Sequence, residues 1–151
     1  MGYSVQSGEQ RARGVEADLV WEPTQALSLL ANYAYTQADV TDDNSIPVGD
    51  GLPRVPWHSG RFAARYRILD GAAKGLGFGA GVTALSAREL TLPNTVSVPG
   101  YALLDAQASY DFDRYTLSVS AVNLTGRTVF ETYQYLGSPV ELPTQPRSAY
   151  L

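Results

Sequence analysis

The chain has 151 residues, 44% of them hydrophobic, with 11 Lys and Arg against 15 Asp and Glu and a formal charge of −4, a size that suits one domain. No apolar run exceeds the four residues at 101–104, whereas a membrane helix needs roughly 20, so a helical span is excluded. Zero cysteines exclude a disulfide framework, a thiolate metal site and a Cys nucleophile. The acidic balance also weighs against nucleic acid, which needs concentrated Lys and Arg. The opening Met1-Gly2-Tyr3-Ser4-Val5 has neither a basic segment nor an apolar core behind it, so no signal peptide is expected. With 10 Tyr, 14 Gly, 9 Pro and only 17% charged residues, the composition suits strands and turns.

Taken in chain order, the segments alternate at period two, the mark of strands whose faces meet different environments. From Gly14, Val15, Ala17, Leu19 and Trp21 oppose Glu16, Asp18 and Val20, and a turn follows at 22–25. The return strand sets Leu27, Leu29, Ala31, Tyr33 and Tyr35 against Ser28, Leu30, Asn32, Ala34 and Thr36. A stretch at 39–53, rich in Asp, Asn, Gly and Pro, reads as a long loop. The next strand has Phe62, Ala64, Tyr66 and Ile68 against Arg61, Ala63, Arg65 and Arg67, and a short turn at 69–74. Leu76, Phe78, Ala80, Val82 and Ala84 then alternate with Gly75, Gly77, Gly79, Gly81 and Thr83, and a break is expected at Leu92-Pro93-Asn94. Ala102, Leu104, Ala106, Ala108, Tyr110 and Phe112 oppose Leu103, Asp105, Gln107, Ser109 and Asp111. After a turn at 113–114, Tyr115, Leu117, Val119 and Ala121 oppose Thr116, Ser118, Ser120 and Val122. The stretch 124–146 reads as a third long loop, and a final segment starts at Arg147.

Connections therefore alternate in length, short at 22–25, 69–74 and 113–114 and long at 39–53, 91–99 and 124–146. An antiparallel meander puts successive connections on opposite ends, so the short turns share one rim and the long loops the other, as in outer-membrane barrels. The aromatics obey the same geometry. Trp21, Tyr110, Phe112 and Tyr115 fall beside short turns and Tyr33, Tyr35 and Tyr101 beside long loops, the two interface positions where rings with polar tips settle. Arg61, Arg65 and Arg67 all avoid the apolar face, where a midplane Arg costs roughly 2–4 kcal/mol. A soluble barrel or sandwich whose core takes the apolar face is the alternative that patterning leaves open. Against it stands the glycine row, which would lay bare backbone on a soluble surface.

Other chemistry finds little support. Nucleotide loops follow a strand and open a helix, whereas these glycines recur within a strand. His58 is the sole histidine, placed at a strand entrance on the long-loop rim, which makes a Ser-His-Asp centre poor. Asp39, Asp42, Asp43 and Asp50 lack the spacing of a calcium loop and read as solvated. Asn123-Leu124-Thr125 is most simply a strand end. Glu16, Asp18, Arg61, Arg65, Arg67 and Asp105 share the inner face and can pair there. No enzyme activity, cofactor or metal site is expected.

Several stretches resemble one family in order along nearly the whole chain. Gly8-Glu9-Gln10-Arg11-Ala12-Arg13-Gly14-Val15-Glu16 resembles G-E-x-R-S-R-G-V-E, and Leu29-Leu30-Ala31-Asn32-Tyr33-Ala34-Tyr35-Thr36 resembles L-x-A-x-Y-T-Y-T. Val55-Pro56-Trp57-His58 resembles V-P-x-H, the glycine row G-L-G-x-G-x-G, and Val98-Pro99-Gly100-Tyr101-Ala102-Leu103-Leu104-Asp105 resembles V-P-G-Y-T-x-x-D. These are motifs of the C-terminal part of the TonB-dependent outer-membrane receptors that take up ferric siderophores. Asn123-Leu124 begins the family's N-L-F-D-K-x-Y but continues Thr125-Gly126-Arg127, and Pro146-Arg147-Ser148 resembles the P-R-T that opens a last strand, here stopping at Leu151.

The resemblance implies an all-β fold, an antiparallel up-and-down transmembrane β-barrel segment supplying about seven strands of a barrel of roughly 22. Residues 1–151 would be a C-terminal portion of the barrel, without the plug domain. It implies residence in the bacterial cell outer membrane, and as partners a ferric-siderophore ligand, the lipid bilayer, the receptor's own plug domain and the TonB complex. By resemblance the chelate is held at the long-loop end by aromatic rings. Trp57, Phe130, Tyr133 and Tyr135 are the candidate ligand-binding residues, since rings that stack and hydrogen-bond suit a bulky chelate. No residue is expected to bind iron directly.

Overall fold

Period-two alternation gives every segment two unlike faces, and the chain uses it to build long strands joined in simple succession. The computed structural model describes residues 8–135 and 138–151, with side chains except those at 132–135, 138, 139 and 141. In order, the strands are β1 (Gly8–Thr24), β2 (Leu27–Asp43), β3 (His58–Arg67), β4 (Leu76–Leu85), β5 (Arg88–Glu89), β6 (Ser97–Val98), β7 (Tyr101–Phe112), β8 (Tyr115–Val122), β9 (Phe130–Tyr135), β10 (Ser138–Pro143) and β11 (Ser148–Tyr150). One seven-stranded sheet runs β1-β2-β3-β4-β7-β8-β11, while β5-β6 and β9-β10 form two small hairpins. Every neighbouring pair is antiparallel.

Register carries the alternation across the whole sheet. Trp21, Leu29, Ala64, Ala80, Ala106, Ala121 and Ala149 fall in one transverse row. Leu19, Ala31, Phe62, Val82 and Leu104 fall in the next, on the same face. The opposite face has Ser28, Arg65, Gly79, Gln107 and Ser120 in one row and Asn32, Arg61 and Thr83 in another. A one-residue slip would exchange the two faces, so the apolar pattern fixes the pairing.

Among the described residues, no second layer covers the apolar face. Phe62 is 54% exposed, and Val15, Leu19, Tyr66, Phe78, Val82, Tyr110, Tyr115, Leu117 and Val119 on the same side are exposed as well. Water would tolerate no such continuous patch, which is far larger than a monomer's usual apolar area. The buried apolar side chains among the described residues are Ala38, Val40, Val98 and Val129, and all lie at the long-loop end. The core therefore sits in the loops, and the sheet presents its greasy side outward.

Along β3 the apolar band runs from the Tyr35/His58 level to Tyr66, eight steps that at roughly 3.4 Å each span about 27 Å along the strand. Strands tilted by about 40° bring that close to the height of a lipid-facing band. Aromatic rows bound it at both ends. At the short-turn rim Tyr110 stacks on Phe112 with ring centroids 5.9 Å apart, and Tyr115 follows at 5.8 Å. At the other rim lie Tyr33, Tyr35, Trp57 and His58.

Three expectations change in detail. The long loop expected from residue 39 starts later, because β2 stays paired with β1 as far as Asp43 opposite Gly8. The stretch 124–146 is not loop throughout, since β9 and β10 pair within it. Gly75 lies outside β4, with φ of +90°, and closes the 69–74 turn. The soluble sandwich is excluded by the single layer, and β1 and β11 occupy opposite edges of one sheet.

Candidate functional site

Two regions carry side chains that the fold alone does not require: the long-loop rim and the polar face of the sheet. At the rim, three connections are locked together. In the first, Val40 N–H donates to Asp50 O at 2.9 Å and Leu52 N–H to Ala38 O at 2.7 Å, folding residues 44–57 back over the end of β2. Asn94 then bridges the first loop to the second, accepting Gly51 N–H at 2.7 Å, donating Nδ2 to Gly51 O at 2.8 Å, and giving its own backbone N–H to Asp50 Oδ2 at 2.9 Å. Arg54 N–H adds a bond to Glu89 O at 2.7 Å.

Arg88 joins the second connection to the third. Its guanidinium is almost wholly buried, stacks over Tyr101 at 5.9 Å and donates Nη2 to Phe130 O at 2.9 Å. Asn123 closes the base of the third. With 3% exposure and φ of +52°, a conformation that Asn tolerates, its amide donates to Arg127 O at 2.8 Å and Gln145 O at 3.2 Å while accepting Arg127 N–H at 3.1 Å. The third loop thus leaves and returns at one residue. Each such bond is worth only about 0.5–1.5 kcal/mol net, but burial makes each expensive to break.

Asp43 ends β2 beyond the aromatic row and caps the turn that follows. Its carboxylate accepts the backbone N–H of Ser45 at 2.8 Å and of Ile46 at 2.9 Å, as well as the Ser45 hydroxyl at 3.0 Å. The Ser45 backbone bond foremost, then that of Ile46, holds its pKa below the ordinary value, because these bonds favour the charged form.

The sequence-predicted residues are dispersed along the rim. Trp57 is 46% exposed and meets Tyr35 edge-on at 6.4 Å; Tyr35 in turn lies 5.3 Å from His58, whose Nδ1 is hydrogen-bonded to the Tyr33 hydroxyl at 2.8 Å. That cluster continues the aromatic row of β2 at the long-loop rim. Phe130, 37% exposed, starts β9 over the β7–β8 end of the sheet, and three strand spacings, about 14 Å, separate β3 from β8. Tyr133 and Tyr135 lie on β9, but their side chains fall outside the described residues. Arg88, Asn94 and Asn123, which organise the rim, were not expected; lone polar residues in loops give no periodic signal.

On the polar face, β3 carries three arginines, and one of them, Arg61, lies over a glycine of β4. A Cβ on Gly81 would sit 3.0 Å from Arg61 Nη2, so the missing side chain is the space through which Arg61 reaches Thr83 Oγ1 at 2.8 Å and Asp105 Oδ2 at 3.6 Å. Asp105 Oδ1 also accepts Asn123 N–H at 3.0 Å, linking this face to the base of the third loop. Arg67 pairs with Asp111, which also accepts the Thr116 hydroxyl at 2.6 Å. The expected inner-face pairing thus holds for Arg61 and Asp105.

An antiparallel meander with its large apolar side chains outward, paired charges inward, and short turns and long loops on opposite rims defines the wall of an outer-membrane β-barrel. The chain belongs to the TonB-dependent receptor-like β-barrel family, whose model it matches over residues 2–124. It is 33% identical over 132 residues to the metal-pseudopaline receptor CntO of Pseudomonas aeruginosa, covering 86% of this chain and 19% of that protein. It is 31% identical over 136 residues to the ferrichrome outer membrane transporter/phage receptor of Escherichia coli, covering 90% of this chain and 18% of that one. The siderophore receptor PiuA of Acinetobacter baumannii superposes with a TM-score of 0.79 at 26% identity, covering 94% of this chain and 21% of PiuA. The chain spans about a fifth of the length of these proteins.

Proposed function

We propose that this chain is a stretch of barrel wall in an energised outer-membrane receptor that imports ferric siderophores, with residues 1–151 forming a C-terminal portion of the barrel. The interlocked rim is the observation that carries this reading. Asn94, Arg54, Arg88 and Asn123 tie three outer connections into one preorganised surface, and preorganisation lowers the ordering cost of ligand capture. Phe130, Tyr133 and Tyr135 on the third connection, with Trp57 at the first, supply aromatic surface for a bulky chelate. The relatives' names point to metal-bearing cargo: metal-pseudopaline for one, ferrichrome for another. Iron arrives already chelated, so the wall needs no metal ligands of its own. Uptake would draw on a plug domain in the same polypeptide and on the TonB complex.

The test is uptake of radioactive iron, presented as a panel of hydroxamate, catecholate and carboxylate siderophores, by cells lacking other receptors and carrying the polypeptide that contains this chain. Uptake of one class, lost when TonB is deleted, supports the proposal. The absence of energised uptake for every class would reject it.

A further inference from the structure

Among the described residues, two buried side-chain polar atoms have no hydrogen-bond partner, Arg88 Nη1 and Thr144 Oγ1. Both lie where the second outer connection meets the third. Arg88 Nη2 donates to Phe130 O at 2.9 Å, and Phe130 pairs with Pro143, the residue before Thr144. Thr144 in turn donates its backbone N–H to Val129 O at 2.8 Å, and Val129 is itself buried. The two orphaned atoms therefore belong to residues that meet at one place, the base of the β9–β10 hairpin.

What the two lack is the same. Arg88 is 8% exposed, and a guanidinium is always charged and can only donate. The Tyr101 ring at 5.9 Å offsets part of its desolvation, but no acid among the described residues forms an ion pair with it. Burying a charge without a counter-charge is costly enough that folds supply one. The Thr144 hydroxyl can also donate. Two unused donors beside one uncompensated positive charge call for an acceptor that is itself negative, since a water would satisfy the bonds and leave the charge bare. The supply of donors limits its kind. A tetrahedral oxyanion would bring more oxygens than these two atoms can satisfy, whereas a halide is a single spherical acceptor.

We infer that Arg88 and Thr144 hold a chloride ion at the junction of the second and third outer connections. Neither atom is open to solvent, so the ion is enclosed as the third connection closes over Arg88 and leaves only when that connection lifts. Asn123 fastens the base of the connection through Arg127 and Gln145; the ion fastens the hairpin above it to β5. Order at the rim then depends on dissolved chloride, whatever cargo the rim receives.

The test uses the polypeptide that carries this chain, purified in detergent. Crystals grown in sodium bromide should show an anomalous peak touching both Arg88 Nη1 and Thr144 Oγ1. A water there, a carboxylate of the polypeptide there, or no peak overturns the inference. In solution, amide exchange at position 144 is followed at fixed ionic strength while sodium chloride replaces sodium gluconate. A ligand at about ten times its dissociation constant lowers the open fraction roughly elevenfold, so exchange at 144 should slow about tenfold across the titration while the Ser45 and Ile46 amides of the first connection stay constant. Thr144→Val removes the hydroxyl with little change of shape and should move the titration to higher chloride. Arg88→Gln should abolish the dependence and Arg88→Lys, which keeps the charge, should retain a weaker one. Exchange at 144 indifferent to chloride in the unaltered protein, a titration unmoved by Thr144→Val, or a dependence that survives Arg88→Gln overturns the site. Should Arg88→Gln fail to fold, the bromide crystal and the Thr144→Val titration still decide the question.

Discussion

Phe62 lies midway along β3 between His58 and Tyr66, on the apolar face and 54% exposed. In a soluble protein, replacing a side chain so exposed by arginine changes stability by about 0.5 kcal/mol or less. If that face meets lipid, Phe62→Arg instead puts a guanidinium near the bilayer midplane, at a cost of roughly 2–4 kcal/mol, a loss of about 30- to 700-fold in the folding equilibrium. Leu30→Arg is the matched control: Leu30 is also part-exposed and pairs with Ala63, the neighbour of Phe62, but faces the polar side. It should change stability by about 0.5 kcal/mol or less. Urea titration of the barrel carrying this chain, folded into phosphatidylcholine vesicles and followed by tryptophan fluorescence, reads both. Equal costs for the two substitutions, or a larger cost for Leu30→Arg, would refute the assignment of faces.

Three further outcomes follow. Asn123→Ala removes the amide that holds Arg127 and Gln145 together, so at about 1 kcal/mol per lost bond the third loop should open by roughly 2–3 kcal/mol, read as faster amide exchange over 124–147 with exchange in β2 and β3 unchanged. Asp105→Ala loses the Arg61 pair and the Asn123 N–H bond; the pair is part-exposed and worth under about 1 kcal/mol, so a double-mutant cycle with Arg61→Gln should return a coupling below about 1 kcal/mol. Asp43, whose pKa is held below the ordinary 3.8, favours the folded turn above that value, and its contribution fades as pH falls through the depressed pKa. Exchange of the Ser45 and Ile46 amides should therefore quicken, relative to intrinsic rates, only in that acid window, and Asp43→Asn should remove the pH dependence.

The faces of six of the seven sheet strands, β1 to β4, β7 and β8, are legible in the sequence because lipid on one side and polar surroundings on the other force period two through each crossing. Beyond the membrane that contrast ends, and so does the signal. Thr36 to Asp43 carries polar groups toward both sides, which is why the pattern ends β2 early although its ladder with β1 continues. The β9–β10 hairpin escapes the pattern for the same reason, with Pro139 and Pro143 adding a reading of loop. Trp57 can be placed at the rim from its neighbours Pro56 and His58, but whether it serves cargo or girdle depends on its contact with Tyr35, which no spacing encodes. Arg61, Arg65 and Arg67 look alike in sequence; only the cross-strand partners Thr83, Gly79 and Gly77, and the acids one strand further, distinguish committed from free.

The central claim is that the two faces of this sheet meet different solvents, and it can be measured directly. Because the chain has no cysteine, single cysteines at 62, 78, 82 and 104, and at 28, 65, 79 and 107, can each carry one spin label in the barrel reconstituted in vesicles. The account predicts fast relaxation by dissolved oxygen and protection from a water-soluble nickel chelate at the first four, and lower oxygen accessibility at the second four. Nickel-chelate accessibility at 62 and 82, or oxygen accessibility equal on both faces, would contradict it.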